Sequence, residues 1–416
     1  ETWIFHITSG LENTSATWVA QRLPEDHVAV TANNFIIQKV NCKDAANFMC
    51  SENIFSNARA AKLCDFEGED MNWQACYAPN IRTFSYMPGY APIPYYTTVR
   101  LWRIQSLASR SRTIPLTDNP ADFPFSVKAA GKFHVDEIFN FTRDHYEGTP
   151  YDMSKGILSG VFGNPNRIEG GDGMKIISGQ FTRGISIPRT SYSVVVQAKP
   201  TSERSVAWLA TDQPMTSVFV PFFAKAKHAA APYQTGHQEV FTRDCAWWAF
   251  NFVSNWMNVH WDDMMERHVG PKIQEQQKLI VDAVGALDSD WPRDSHVLEG
   301  LMVRLQGDVV KEWWTMADDL VVHYNDGRYT YKNGTIQPLG YPAWYLQMIG
   351  FNNLFYQDQW VQWAASPPPL LLKATEAISG SFNFSLQPAF IQGLALGMAI
   401  MFLALRWERR TALRKL

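Results

Sequence analysis

This 416-residue chain has little of what several protein classes require. Its 37 lysines and arginines do not outnumber its 40 aspartates and glutamates, and the net charge of -3 argues against nucleic acid as a partner. No pair of cysteines has the Cys-x-x-Cys spacing of a structural zinc site. No charged and apolar leader is found at Glu1, so any signal peptide has been removed or lies further upstream.

Cysteine is sparse but clustered. The five cysteines are Cys42, Cys50, Cys64, Cys76 and Cys245, and the first four fall within 35 residues. In an oxidising compartment we expect these four to pair, with Cys42 to Cys50 and Cys64 to Cys76 as the simplest of three connectivities. Cys245 would then be left over, either buried or bridged to another chain.

Four Asn-x-Ser/Thr sequons indicate a secretory compartment and predict N-glycosylation. They lie at Asn13, Asn140, Asn333 and Asn383.

The C-terminal region contains the longest uncharged apolar run. Residues 389–405 carry no charge in 17 positions and would span about 26 Å as a helix, at the short end for a bilayer crossing. A basic tail, 406–416, follows it, and a proline-rich segment, 366–388, precedes it like a stalk. The sequence therefore predicts a single-pass membrane protein that contacts the lipid bilayer. Its body would be luminal or extracellular, in a lysosome-like compartment or at the cell surface. Its C-terminus would be cytoplasmic. The alternative is a buried core helix.

The remaining pattern predicts an α+β protein. Residues 1–225 are rich in strands, and residues 245–324 are mainly helical with apolar positions at helical spacing. A hairpin is predicted around the turns Asp326-Gly327 and Asn333-Gly334. The predicted strands are 2–7, 18–20, 28–30, 99–104, 185–187, 192–197 and 206–210.

One stretch concentrates the titratable groups. Residues 143–152 contain one arginine, one histidine, three carboxylates and two tyrosines. Burying so many charges is costly unless they satisfy one another, so they form either a polar network or a solvated loop. Composition alone favours the loop.

Arg143-Asp144-His145-Tyr146-Glu147-Gly148-Thr149, followed by Asp152, resembles the signature of the C69 family of dipeptidases, which are N-terminal-nucleophile hydrolases. Further blocks resemble the family in the family's order, and together they cover residues 1 to about 350. These blocks are 1–7, 18–22, Asn33 with Phe35 and Ile37, 100–103, 124–128 and 189–193. The resemblance implies an αββα sandwich with a helical extension, over a hydrolase domain of residues 1–365.

The resemblance also implies a nucleophile on another chain. In such hydrolases the first residue supplies the nucleophile and its α-amino group the general base. Residue 1 here is Glu, and the block at 1–7 lies in the interior of family members. We therefore expect this chain to be the C-terminal product of a cleaved precursor, partnered by a smaller upstream chain that begins with Cys.

Two residues match catalytic positions of the family. Asn33 corresponds to an amide that helps to bind the oxyanion, and Arg189 to a guanidinium able to hold a substrate carboxylate. Asn34 is the alternative to Asn33 if the register is off by one. The structural interpretations are a turn asparagine for Asn33 and a solvent-facing arginine for Arg189.

The charged stretch is expected to line or support the pocket. Asp144 and Glu147 would act as acceptors, and Arg143 and His145 as donors. The reaction implied by the resemblance requires no metal or organic cofactor.

The sequence thus predicts a cysteine-type dipeptidase subunit that hydrolyses dipeptides or small amides. One alternative is a non-catalytic structural or surface-assembly protein that retains the fold. Another is an amidase of the same fold that acts on N-acyl substrates.

Overall fold

The computed structural model describes residues 1–9, 16–78, 91–111, 114–169 and 177–351. Residues Glu1–Tyr345 form one compact unit, and the second unit begins at Leu346. The α-helices are α1 Ile54–Ala60, α2 Trp73–Tyr77, α3 Thr98–Ser109, α4 Val135–Arg143, α5 Ala246–Trp256, α6 Trp261–Met264, α7 Gly270–Gly285, α8 Ser295–His323 and α9 Ala343–Met348. A π-helical turn, Met265–Val269, joins α6 to α7.

The described strands form four small antiparallel sheets, ordered β1-β2-β4, β3-β5, β6-β7-β8 and β9-β10-β11. The strands are β1 Thr2–Ser9, β2 Ala16–Leu23, β3 His27–Val28, β4 Phe48–Cys50, β5 Val127–Lys128, β6 Tyr192–Gln197, β7 Val206–Thr211, β8 Val220–Phe223, β9 Tyr324–Asn325, β10 Arg328–Thr330 and β11 Ile336–Pro338.

The larger hydrophobic core lies between the β6-β7-β8 sheet and helices α4, α5, α7 and α8. The 29-residue helix α8 begins at the N-cap Asp294, whose side chain accepts a hydrogen bond from the backbone of His296, and it buries Trp313 completely. Phe139 of α4 stacks on Phe219 at 4.2 Å between ring centroids, which joins α4 to the sheet. The end of α4, and therefore the charged stretch that follows it, is fixed by this core.

A smaller core surrounds Trp73 and is cross-linked by two disulfides. Cys42 pairs with Cys50 and Cys64 with Cys76, which is the connectivity expected from the sequence. Cys245 is free and buried.

The predicted αββα sandwich is wrong for the described residues. Helices and sheets are mixed, as an α+β class requires, but no sheet among these residues has more than three strands. Alternation of apolar and polar residues predicts that a segment is a strand, and it does not determine which strands pair.

Two predicted strands are also wrong. Residues 99–104 lie in helix α3, and residues 185–187 form no regular element. Val99 and Leu101 alternate with arginine and aromatic residues, a pattern that fits a strand over six positions. Gln105 and Ala108, buried on the same helical face, show the helical period only when the window is extended.

The predicted transmembrane helix and single-pass localisation require correction. Within the ranges that the structure describes, no helix is both long enough and apolar enough to cross a bilayer. The segment 389–405, its stalk 366–388 and the tail 406–416 lie outside the described residues. The apolar run was already at the short end of the length that a membrane span needs.

The sequons at Asn140 and Asn333 are exposed, on α4 and in the β10-β11 turn respectively. Asn13 and Asn383 lie outside the described residues.

His6 on β1 predicts a pH-dependent stability. Its imidazole is 5% exposed and stacks on Phe35 at 4.5 Å, and burial lowers its pKa to about 4. In the unfolded chain this imidazole takes up its proton near pH 6.5, whereas in the folded protein it stays neutral down to about pH 4. The burial of neutral His6 therefore contributes fully to the free energy of unfolding above pH 6.5, and the contribution is lost as the pH falls towards about 4. We expect urea-unfolding free energies to fall between pH 7 and pH 4.5, and His6→Phe to flatten this profile.

The control for this experiment is His228→Phe, which replaces an exposed imidazole. A pH profile unchanged by His6→Phe would contradict the assignment.

Candidate active site

The first part of the charged stretch after α4, residues 144–146, is buried rather than solvated. Asp144 is 8% exposed, and His145 and Tyr146 are completely buried. Tyr146 has a left-handed backbone with φ of 67°, which turns the chain back so that the backbone of Met153 donates to the carbonyl of His145 at 3.0 Å. Among the described residues, neither ring nitrogen of His145 has a partner at hydrogen-bonding geometry, whereas the carboxylate of Asp144 is fully paired.

Asp144 forms a buried ion pair with Arg103 of α3. The Arg103 Nε lies 2.8 and 2.9 Å from the two carboxylate oxygens, and Nη2 lies 2.5 Å from Oδ2. Nη2 also donates to the carbonyl of Glu147 at 3.0 Å, while the backbone of Tyr146 donates to Oδ1 at 2.7 Å. Burial raises the pKa of Asp144 even though Arg103 acts to lower it. This bidentate geometry fixes the stretch against α3.

His145 lies behind the wall of a cavity. Its Nδ1 is 3.4 Å from Oε1 of Glu147, and its backbone donates to Oε2 at 2.7 Å. Burial acts to raise the pKa of Glu147, but hydrogen bonding from His145 outweighs it and the pKa is lowered. A Cβ at Gly184 would come within 3.1 Å of the His145 ring and 2.7 Å of the Ser186 carbonyl, so this wall requires glycine.

The cavity itself, which we call the arginine cavity, has a volume of about 250 Å³. Its lining includes three guanidinium groups and a single carboxylate, so its charge is positive. These residues are Arg167, Arg183, Arg189 and Glu169. Arg189 Nη1 lies 3.7 Å from Glu169, and the Tyr146 hydroxyl donates to the carbonyl of Arg183. A small anion such as a carboxylate suits this cavity.

Asn33 is held by Arg100 of α3. Its Oδ1 accepts from Arg100 Nη1 at 2.9 Å. A guanidinium can only donate, so the amide nitrogen of Asn33 must point away from Arg100 and remains able to donate. Arg100 and Arg183 both lie over the ring of Tyr96, at 5.1 and 5.2 Å from its centroid. These contacts connect Asn33 to the arginine cavity.

The side chain of Asn34, unlike that of Asn33, is turned into the protein. Both polar atoms of its side chain are buried, and within the described residues neither has a hydrogen-bond partner. Asn33 is exposed and has a left-handed backbone with φ of 55°. Of the two asparagines, Asn33 is therefore the one whose amide a ligand can reach.

Arg143 does not line the arginine cavity. Its guanidinium donates to the carbonyls of Pro214 and Ser217 and to Oε1 of Gln277, at 2.9 to 3.1 Å. Burial lowers the pKa of Arg143 to about 10. This arginine ties the end of α4 to the β7-β8 connection and to α7.

Arg143→Met is expected to lower the free energy of unfolding by about 2 to 4 kcal/mol, because it leaves several buried acceptors without a donor. Guanidinium chloride unfolding measures this loss. Arg110→Met is the matched control, since that arginine is 63% exposed at the side chain and lies 3.7 Å from its carboxylate partner, and little change is expected there. Equal losses in the two variants would contradict the structural role of Arg143.

Sequence reasoning did not assign roles to Arg100, Arg103 or Arg183. Arg100 and Arg103 are three residues apart, so on a helix they share a face. Interpreting this segment as a strand hid that relation. Arg183 has no local signal, and only the fold shows its position.

Comparison with known proteins identifies the chain's relatives. A family model described as peptidase family C69 matches residues 1–273. The chain belongs to peptidase family C69. The "probable dipeptidase" of Latilactobacillus sakei is 24% identical over 329 residues, which are 78% of this chain and 59% of that protein.

Two further relatives match a shorter region. The "probable dipeptidase" of Salmonella dublin is 24% identical over 239 residues, which are 57% of this chain and 46% of the relative. The "probable dipeptidase A" of Streptococcus pyogenes serotype M1 is 23% identical over 241 residues, which are 55% and 44% of the two chains. This C69 chain thus spans about half the length of the curated relatives it matches.

Proposed function

We propose that this chain is the substrate-binding and oxyanion-binding part of a cysteine-type peptidase that hydrolyses dipeptides or similar small amides. The observation that carries the proposal is the Asn33 amide. Arg100 holds its oxygen at 2.9 Å, which leaves the N–H₂ group able to donate. Arg100 also shares the ring of Tyr96 with Arg183, which lines the arginine cavity together with Arg189.

The nucleophile comes from a second polypeptide chain that begins with Cys. Four of this chain's cysteines are in disulfides, and Cys245 is 4% exposed and lies within the chain, so it has no free α-amino group to act as its base. A thiolate must be accessible to attack a substrate carbonyl.

The reaction proceeds by acyl transfer. The companion thiolate attacks the amide carbonyl, and the carbonyl oxygen gains negative charge that the Asn33 N–H₂ group stabilises. The intermediate collapses to a thioester as the leaving amine takes a proton from the companion's protonated α-amino group. Water then attacks the thioester, releases the acid and regenerates the thiol. Arg189 and Arg183 hold a carboxylate of the substrate throughout.

Intact mass and N-terminal sequencing of the native protein, combined with an assay of alanyl-alanine hydrolysis, test this proposal. A co-purifying chain that begins with Cys, together with hydrolysis that thiol alkylation abolishes, is expected. A homogeneous protein without such a chain and without hydrolysis would rule the proposal out and favour a non-catalytic role.

A further inference from the structure

Asp212 is a buried carboxylate that the proposed reaction does not use. It follows strand β7, is 1% exposed, and has a left-handed backbone with φ of 62°. Its backbone nitrogen donates to the carbonyl of Ser191 at 2.9 Å. Non-glycine residues in this conformation are uncommon and concentrate at functional sites, so the position merits a chemical explanation.

The carboxylate of Asp212 has only neutral partners among the residues that the structure describes. Oδ1 accepts from Nδ2 of Asn251 at 2.9 Å, and Oδ2 has no partner at hydrogen-bonding geometry. Burial raises the pKa of Asp212, against hydrogen bonding from Asn251, the Gln213 backbone and the Ser254 hydroxyl. Asparagine at this position could keep the bond to Asn251 without burying a charge. The fold alone therefore does not explain why this residue is an acid.

Asp212 lines a second cavity of about 470 Å³, which we call the tryptophan cavity. The same cavity is lined by the guanidinium-bearing Arg189 and by the indoles Trp247 and Trp248. Pro188 and Arg189 also line the arginine cavity, so the two cavities are neighbours. His237 and Cys245 line it too, so the lining combines one carboxylate, one guanidinium, one imidazole, one thiol and two indoles around a space of the size that small ligands occupy.

We infer that the tryptophan cavity binds a small peptide with a free amino terminus, its ammonium group at Asp212 and its carboxylate at Arg189. This inference rests on the proposed function, because the peptide is that reaction's substrate or product. An ammonium group supplies the counter-charge that Asp212 lacks, and indole faces favour a cation. An N-acylated peptide carries no such charge and would leave the carboxylate unpaired, so the site selects against N-acyl substrates.

Calorimetric titration of the native protein with alanyl-alanine and with N-acetyl-alanyl-alanine tests the inference. We expect the free peptide to bind at least about tenfold more tightly than the acetylated one. Asp212→Asn should remove that preference while the thermal midpoint stays equal or rises, because the variant buries no charge. Asp244→Asn is the matched control, since Asp244 is exposed and does not line the cavity, and it should keep the preference.

Several results would overturn the inference. These are equal affinity of the wild-type protein for the two peptides, no binding of either, or a preference that survives Asp212→Asn. The wild-type comparison needs no variant, so a failure of Asp212→Asn to fold would not prevent the test. Binding gives a heat pulse that decays after each injection, whereas turnover gives a continuing signal. A protein that binds without turnover contradicts only the proposed function, and one that cleaves both peptides equally contradicts only the selectivity.

Discussion

Asn33→Ala should lower kcat for dipeptide hydrolysis by roughly 10²- to 10³-fold with little change in KM, measured on the protein with its companion chain. The Asn33 amide nitrogen is turned away from Arg100, so it can donate to the oxygen that becomes negative in the transition state. The ground-state carbonyl makes this hydrogen bond less strongly, which is why the loss should fall on kcat.

Asn34→Ala is the matched control. Its amide is buried and faces no solvent, so kcat should stay within about twofold of the wild-type value. A large loss of kcat in Asn34→Ala together with normal turnover in Asn33→Ala would show that the two positions had been exchanged. Arg100→Met should mimic Asn33→Ala in part, because it frees the asparagine to rotate.

Breaking the ion pair between Arg103 and Asp144 is expected to have the largest effect on stability. Arg103→Met leaves a carboxylate that is 8% exposed without its guanidinium, and losses of about 3 to 5 kcal/mol are typical of such changes. Denaturant unfolding at pH 7 measures the loss. The loss of unfolding free energy should become smaller as the pH falls, because the unpaired Asp144 in the variant then takes up a proton in the folded state.

The double variant Arg103→Met with Asp144→Asn tests the coupling. It removes both charges and keeps an acceptor for the backbone of Tyr146, so it should recover most of the stability lost in Arg103→Met. Losses that simply add would show that the two side chains act independently, in conflict with the bidentate contact.

Local sequence patterns predicted much of the secondary structure. Strands β6 and β7 lie at residues predicted as strands, since both are short runs rich in β-branched and aromatic residues. The hairpin at Asp326-Gly327 and Asn333-Gly334 was predicted correctly because these dipeptides favour a left-handed backbone. Helix α3 was missed because six residues at its start alternate like a strand.

The candidate site was predictable where it is contiguous in sequence and not where it depends on the fold. Residues 143–152 could be singled out because their titratable groups are adjacent along the chain. Only the tertiary packing brings Arg143 to carbonyls 71 and 74 residues away along the chain. The same packing brings Asp144 to Arg103. Asp212 was not singled out because its cavity partners are distant in sequence.

The two disulfides lie in only one of the two main hydrophobic cores, so a change in redox conditions affects the two cores differently. Both bridges close short loops, of 8 and 12 residues in separation, and both lie in the smaller core around Trp73. The larger core, between α8 and the β6-β7-β8 sheet, contains no cross-link among the described residues. Reduction of disulfides therefore removes cross-links only from the first part of the chain, whereas side-chain packing and hydrogen bonds such as those of Arg143 maintain the part that carries Asp212.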